Sequence, residues 1–152
     1  MICDRDFPTR RLLAFLGEND TAFTHPLSQA LAKQGSTLTD YADKLARRAT
    51  IAWEEDADTG NIKGAVMGYT HDLPADGGSY ITQVVTGLSY RKQGVCGRLL
   101  QEYLDYCRAG GVAYVWLTTG VGNAAARAAY ESAGFQLVPY DSGSQVKYVY
   151  KL

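Results

Sequence analysis

The sequence predicts an α/β domain built on a mixed sheet, and three observations carry that reading. Tyr80–Thr86 (YITQVVT), a helical pattern from Gly94 to Ala109 and Val112–Thr118 (VAYVWLT) follow one another directly. A strand, a long helix and a second strand in one sheet make a right-handed crossover, so those two strands run parallel. The remaining strand-like segments are spaced as hairpins, which makes the rest of the sheet antiparallel. Residues up to Arg48 read as helical and supply a layer to pack against it.

The elements follow in order. Arg10 to Leu16 is a short apolar-periodic stretch ending near Gly17, and Asn19 to Pro26 reads as a connection carrying His25. A second helix is expected from about Leu38 to Arg48, with Ser36 or Thr37 as N-cap and Tyr41, Leu45 and Ala49 on one face. Thr50–Glu54 and Ile62–Tyr69 flank the turn signal Asp56–Gly60 as a hairpin, and His71 to Gly78 is a loop. In the Gly94–Ala109 helix, Val95, Leu99, Leu100, Tyr103, Leu104 and Cys107 share a face opposite Arg98, Gln101, Glu102, Asp105 and Arg108. Gly110-Gly111 stops it. Asn123 caps an alanine-rich helix that runs to Ala133 and stops at Gly134. Phe135–Val138 and Gln145–Tyr150 close the chain as an antiparallel pair.

No repeat or low-complexity linker divides the 152 residues, so one domain over 1–152 is expected. The formal charge of −1 and the scattered clusters Arg10-Arg11, Arg47-Arg48 and Arg91-Lys92 give no basic stripe, which argues against a nucleic-acid partner. No apolar run approaches the roughly 20 residues of a membrane span, and the charged N-terminus lacks a signal-peptide core. Cys3, Cys96 and Cys107 show neither disulfide nor metal spacing. A reduced, cytoplasmic setting and a site without metal are therefore expected.

The chemistry concentrates in Tyr90-Arg91-Lys92-Gln93-Gly94-Val95-Cys96-Gly97-Arg98, which joins a strand to a helix start. A helix N-terminus presents unpaired N–H groups and the positive end of its dipole. A glycine there lets an anion approach the backbone, and Arg91, Lys92 and Arg98 add charge. Such a turn suits a pyrophosphate. On local grounds alone, Gly94 easing a tight turn among solvated basic residues fits equally. Neither the Walker order nor a dinucleotide fingerprint is present.

Two segments together narrow this. Arg91-x-x-Gly94-x-Cys96 resembles the Q/R-x-x-G-x-G/A signature of the GCN5-related N-acetyltransferases, the GNAT family. Downstream, Asn123-Ala-Ala-Ala-Arg-Ala-Ala-Tyr130-Glu-Ser-Ala-Gly134-Phe135 is similar to that family's N-x-x-(A)-x-x-x-Y-x-x-x-G-F helix. The resemblance covers about Ile62 to Val138. Cys96 stands where the family has Gly or Ala; it is small enough to keep the turn and is read as a packed side chain, not a nucleophile.

The resemblance implies a mostly antiparallel sheet whose central parallel pair splays, flanked by helices, and acetyl-CoA as acyl donor. It further implies that backbone amides from Gln93 through Gly94, Val95, Cys96 and Gly97 to Arg98 hold the pyrophosphate, with Arg91 and Lys92 beside them. Val84, Val85 and Thr86 would pair with the pantetheine arm as an added strand would, an N–H near Val84 and Val85 polarising the carbonyl. Asn123 would touch that arm, and Tyr130 would protonate the leaving sulfur. The base stays open among His71, Asp72 and a water relay, with Gln83 able to orient water. Tyr69, Tyr80, Tyr114, Trp116, Tyr140 and Tyr148 are candidates for an acceptor pocket or for plain core. The expected activity is acetyl transfer to a primary amine of a small molecule such as an amino sugar, polyamine or amino acid. A protein or peptide acceptor and a non-catalytic acyl-CoA-binding module are the alternatives, and the closing strands could pair in a homodimer.

Overall fold

The computed structural model describes residues 1–23, 26–70 and 77–152. A seven-stranded sheet runs in the order β1-β2-β3-β4-β5-β7-β6. Its strands are β1 Ile2–Asp4, β2 Thr50–Glu55, β3 Ile62–Tyr69, β4 Gly78–Thr86, β5 Tyr114–Gly120, β6 Gln136–Val138 and β7 Gln145–Lys151. The helices are α1 Thr9–Glu18, α2 Leu27–Lys33, α3 Leu38–Arg48, α4 Val95–Ala109 and α5 Ala124–Ala133. All strand pairs are antiparallel except β4 with β5, as the crossover through α4 requires.

Two buried clusters sandwich the sheet. On one face Leu12, Phe15 and Leu16 of α1, Leu27 and Leu31 of α2, and Ala42, Leu45 and Ala46 of α3 pack on Ile51, Ala65, Met67 and Val85. On the other, Leu99, Leu100, Tyr103, Leu104 and Cys107 of α4 join Tyr130 of α5 over Val66, Ile81, Val115, Leu117 and Tyr148. The predicted apolar faces are therefore the buried ones. Thr37 caps α3 through the Asp40 N–H at 3.1 Å, and Asn123 caps α5 through the Ala126 N–H at 3.3 Å.

Some elements differ from the sequence expectation. β1 and α2 lie outside the sequence expectation; β1 is three residues long and α2 seven. β4 starts at Gly78, inside the expected loop, because Gly78, Ser79 and Tyr80 pair with Tyr114, Val115 and Trp116. β5 runs on to Gly120.

A bulge sets the line of β4. Met67 pairs with Gln83 and Gly68 with Ile81, so Thr82 is the extra residue. Gly68 faces this irregularity for a steric reason. A Cβ there would collide with the Tyr103 hydroxyl and lie 2.6 Å from the Tyr80 carbonyl oxygen. That hydroxyl bonds Ser79 at 2.9 Å inside the core. Gly68→Ala should therefore cost about 3 kcal/mol by overpacking, on the order of 10 °C in Tm by thermal melt. A change under 2 °C, on the order of half a kcal/mol, would show that the bulge does not depend on the missing Cβ.

Candidate active site

The parallel ladder between β4 and β5 ends at the pair Tyr80 and Trp116. The bulge follows at once, and a bulged strand bends away from its neighbour. Beyond it, β4 from Ile81 to Thr86 stays paired with β3, and β5 from Leu117 to Gly120 stays paired with β7. The two edges that face each other carry no ladder. Their backbone groups border a cleft that can take an extended polar chain. Val84, Val85 and Thr86 lie on the β4 side of it; Val84 leans into the α4 cluster and Val85 into the α1–α3 cluster.

At the end of β4 the chain turns into α4. Gly94, the N-cap, has φ of 75°, and Lys92 just before it has φ of 63°. A lysine in this left-handed region is uncommon and marks a backbone held by its surroundings. Helix geometry leaves the N–H groups of Val95, Cys96 and Gly97 without intrahelical acceptors, whereas Arg98 N–H already bonds Gly94 O at 3.1 Å. A Cβ on Gly97 would meet nothing within 4 Å. The open space over these donors is where an anion fits.

The β2–β3 hairpin fixes this turn from outside. Arg98 Nη2 and Nε reach Glu54 Oε1 and Oε2 at 2.8 and 3.2 Å, while Arg98 Nη1 donates to Gln93 O at 2.8 Å. Lys63 Nζ is 3.3 Å from the same Glu54 carboxylate. Tyr90 OH donates to Asp56 at 2.9 Å, and Gly87 N–H to Lys63 O at 2.8 Å. The Arg98 hydrogen bonds, with Lys63 adding, hold the Glu54 carboxyl below the usual carboxylate range. The brace therefore persists above that range and fails as pH falls through the depressed value. The guanidinium of Arg98 thus anchors the turn and spends its charge on Glu54, a role its sequence position did not reveal. Lys92 and Gln93 are exposed on the rim.

Glu54→Gln should weaken acetyl-CoA binding about threefold to tenfold in calorimetry, since a paired, hydrogen-bonded charge is worth about 1 kcal/mol here. Equal or tighter binding would mean that the ion pair holds Arg98 away from the ligand.

Across the cleft, Tyr130 on α5 is 7% exposed, with ring centroids 6.2 Å from Phe135 and 5.9 Å from Tyr148. Its hydroxyl makes no hydrogen bond among the described residues, and no fully sealed polar side-chain atom lacks a partner, so this hydroxyl touches solvent. Burial pushes the phenol pKa up, and nearby Cys96 adds to it. Burial also raises the Cys96 thiol, which stays protonated and packs between α4 and α5. Asn123 uses Oδ1 for its cap and holds Thr119 Oγ1 only at 3.5 Å through Nδ2. Tyr148 is sealed, bonded to Arg127 and Glu131, and so is core; Tyr140 is exposed. His71 and Asp72, two candidates for the base, lie outside the described residues, as does His25. Among the described residues no cluster of three His, Cys, Asp or Glu side chains can hold a metal, and no helix is long and apolar enough to cross a membrane.

A parted parallel pair beside an anion-ready helix start defines an α/β domain with room for a phosphate-bearing ligand with an extended arm. The chain belongs to the acetyltransferase (GNAT) family, whose model matches residues 14–135. No curated protein matches it. Among solved structures it is similar to a GNAT-family acetyltransferase from Streptococcus pneumoniae, at 18% identity and TM-score 0.75 over 100% of this chain and 99% of that one. It is also similar to the ribosomal-protein-S18-alanine N-acetyltransferase from Escherichia coli, at 20% and 0.70 over 99% and 92%. An acetyltransferase from Bacillus subtilis in complex with CoA matches at 15% and 0.63 over 74% and 83%. These likenesses are of fold.

Proposed function

We propose that the protein is an acetyl-CoA-dependent N-acetyltransferase acting on a primary amine of a small acceptor. The observation that carries this is the cleft itself. Two parallel strands part after three residue pairs, and β4 runs on from there toward a helix start whose first three N–H groups have no intrahelical acceptor. An acyl-CoA presents the matching chemistry, a pyrophosphate joined to an extended amide-bearing arm. When bound, it supplies an acetyl thioester.

In this reading the N–H groups of Val95, Cys96 and Gly97 hold the pyrophosphate, with Arg91 and Lys92 at the rim. The free edge of Val84, Val85 and Thr86 pairs with the arm, and an N–H of that edge polarises the carbonyl. Asn123 steadies the arm from the opposite wall. The acceptor nitrogen forms the new C–N bond as the C–S bond breaks, Tyr130 gives its proton to the departing sulfur, and the amine proton leaves through water. A phenol with a raised pKa stays protonated for that step at neutral pH.

Acetyl-CoA at a hundred times its Kd should stabilise the protein by about 2.7 kcal/mol, roughly 5–10 °C in a thermal melt. NAD and AMP should not. No shift at millimolar acetyl-CoA would leave a domain with the family fold and another role. A protein N-terminus is the second reading, favoured by the full-length likeness to the S18-alanine enzyme; acceptor assays separate the two.

A further inference from the structure

The sheet face shared with α1–α3 carries a surface the steps above do not use. Tyr69 and Tyr80 are cross-strand partners in β3 and β4, and Tyr80 and Trp116 are partners in β4 and β5. Three aromatic side chains thus line one face across three strands. Tyr80 and Trp116 stack at 4.4 Å with planes 29° apart, at the point where the strands part. Both are half-buried and belong to neither buried cluster.

A polar pair borders the row. Past the bulge, Gln83 returns to the α1–α3 face, and its Nε2 donates to the Tyr41 hydroxyl of α3 at 2.9 Å. This leaves Gln83 Oε1 as an acceptor with no partner among the described residues. The parted edges, Ile81–Thr86 and Leu117–Gly120, contain no ionisable side chain.

Among the described residues the charges at the border are positive. Lys147 Nζ sits 4.6 Å from the Trp116 ring centroid. Arg48, exposed, stands near enough to Tyr69 to act on its phenol. Neither cation has a carboxylate partner among the described residues. Among the described residues a flexible polyamine finds no carboxylate here, and the Trp116 face that attracts a cation is already held by Lys147. A flat ring finds an aromatic wall, and an anionic group finds Lys147.

We infer that this row is the acceptor platform, and that it takes a primary amine borne on a ring that also carries an anionic group. The ring lies against the edge of the Tyr80–Trp116 stack, the reacting nitrogen donates to Gln83 Oε1, and the anionic group meets Lys147. Held so, the nitrogen keeps its lone pair turned toward the cleft. This rests on the N-acetyltransferase reading above.

The test compares kcat/KM with acetyl-CoA for glucosamine 6-phosphate, glucosamine, spermidine and an N-terminal alanine peptide. Glucosamine 6-phosphate should exceed spermidine and the peptide by about tenfold or more, the worth of one well-placed charged contact. Lys147→Met should bring the ratio of glucosamine 6-phosphate to glucosamine close to one, and a ratio is insensitive to any loss of folded enzyme. Gln83→Leu should raise KM for both sugars. A preference for spermidine or the peptide, or a ratio untouched by Lys147→Met, overturns the platform and leaves the transferase standing. No transfer to any amine, with acetyl-CoA still stabilising the fold, overturns the transferase reading and the platform with it.

Discussion

Gly94→Asp is expected to abolish acetyl-CoA binding while leaving the protein folded. Gly94 is the N-cap of α4 with φ of 75°, where an L side chain is strained by about 1 kcal/mol. Its Cβ would lie 3.0 Å from Arg98 Nη1, a flexible side-chain end that can give way. An aspartate at an N-cap position satisfies helix N–H groups and suits the dipole, which offsets much of that strain. The same carboxylate then occupies the anion position over Val95, Cys96 and Gly97 and repels a pyrophosphate. Affinity should fall at least about 100-fold by calorimetry, the worth of losing charge-assisted hydrogen bonds and facing a like charge. Gly94→Ala carries the strain without the charge and should lose about tenfold or less. Equal affinity in the Asp variant would remove this turn from the binding site.

Much of the frame behind that result is legible in the sequence, because its signals are local. The α4 pattern from Val95 to Cys107 and the Asn123 cap followed by Gly134 fix two helices. The order strand, α4, strand fixes the parallel pair, and the glycine between them marks the turn. What stayed hidden depends on contacts between distant residues. α2 spends only Leu27 and Leu31 on the core, too few positions for a periodicity to stand out. The bulge at Thr82 leaves no mark in YITQVVT, since Gly68 and Tyr103 impose it from other elements. Glu54 looks like the end of a solvated strand until α4 brings Arg98 onto it. Tyr41 and Gln83 lie on α3 and β4, and only the packing joins them.

Those hidden contacts act on the site through preorganisation. The bulge opens the cleft, and the Glu54–Arg98–Gln93 brace holds the donors that close one end of it. The parts visible in sequence name the groups proposed to bind; the parts invisible in it set their distances.

Tyr130→Phe separates binding from chemistry at the other wall. The hydroxyl has no hydrogen-bond partner among the described residues, and the ring contacts with Phe135 and Tyr148 survive in phenylalanine. Removing an unpartnered, mostly buried hydroxyl should leave Tm unchanged or slightly higher. Acetyl-CoA affinity should stay within about twofold, because the proposed pyrophosphate donors and the β4 edge are untouched. Turnover should fall by about 10²–10⁴, the usual worth of a positioned general acid. With kcat and kcat/KM falling together, the lost interaction is one made only in the transition state. A structural tyrosine predicts the reverse, a lower Tm with turnover per folded enzyme preserved. Its pKa is raised by burial first and by Cys96 second, so the activity of the wild type should show no loss from Tyr130 ionising up to at least its ordinary value near 10. A base-side fall well below that pH, absent in Tyr130→Phe, would mean that the phenol pKa is lowered rather than raised at this wall.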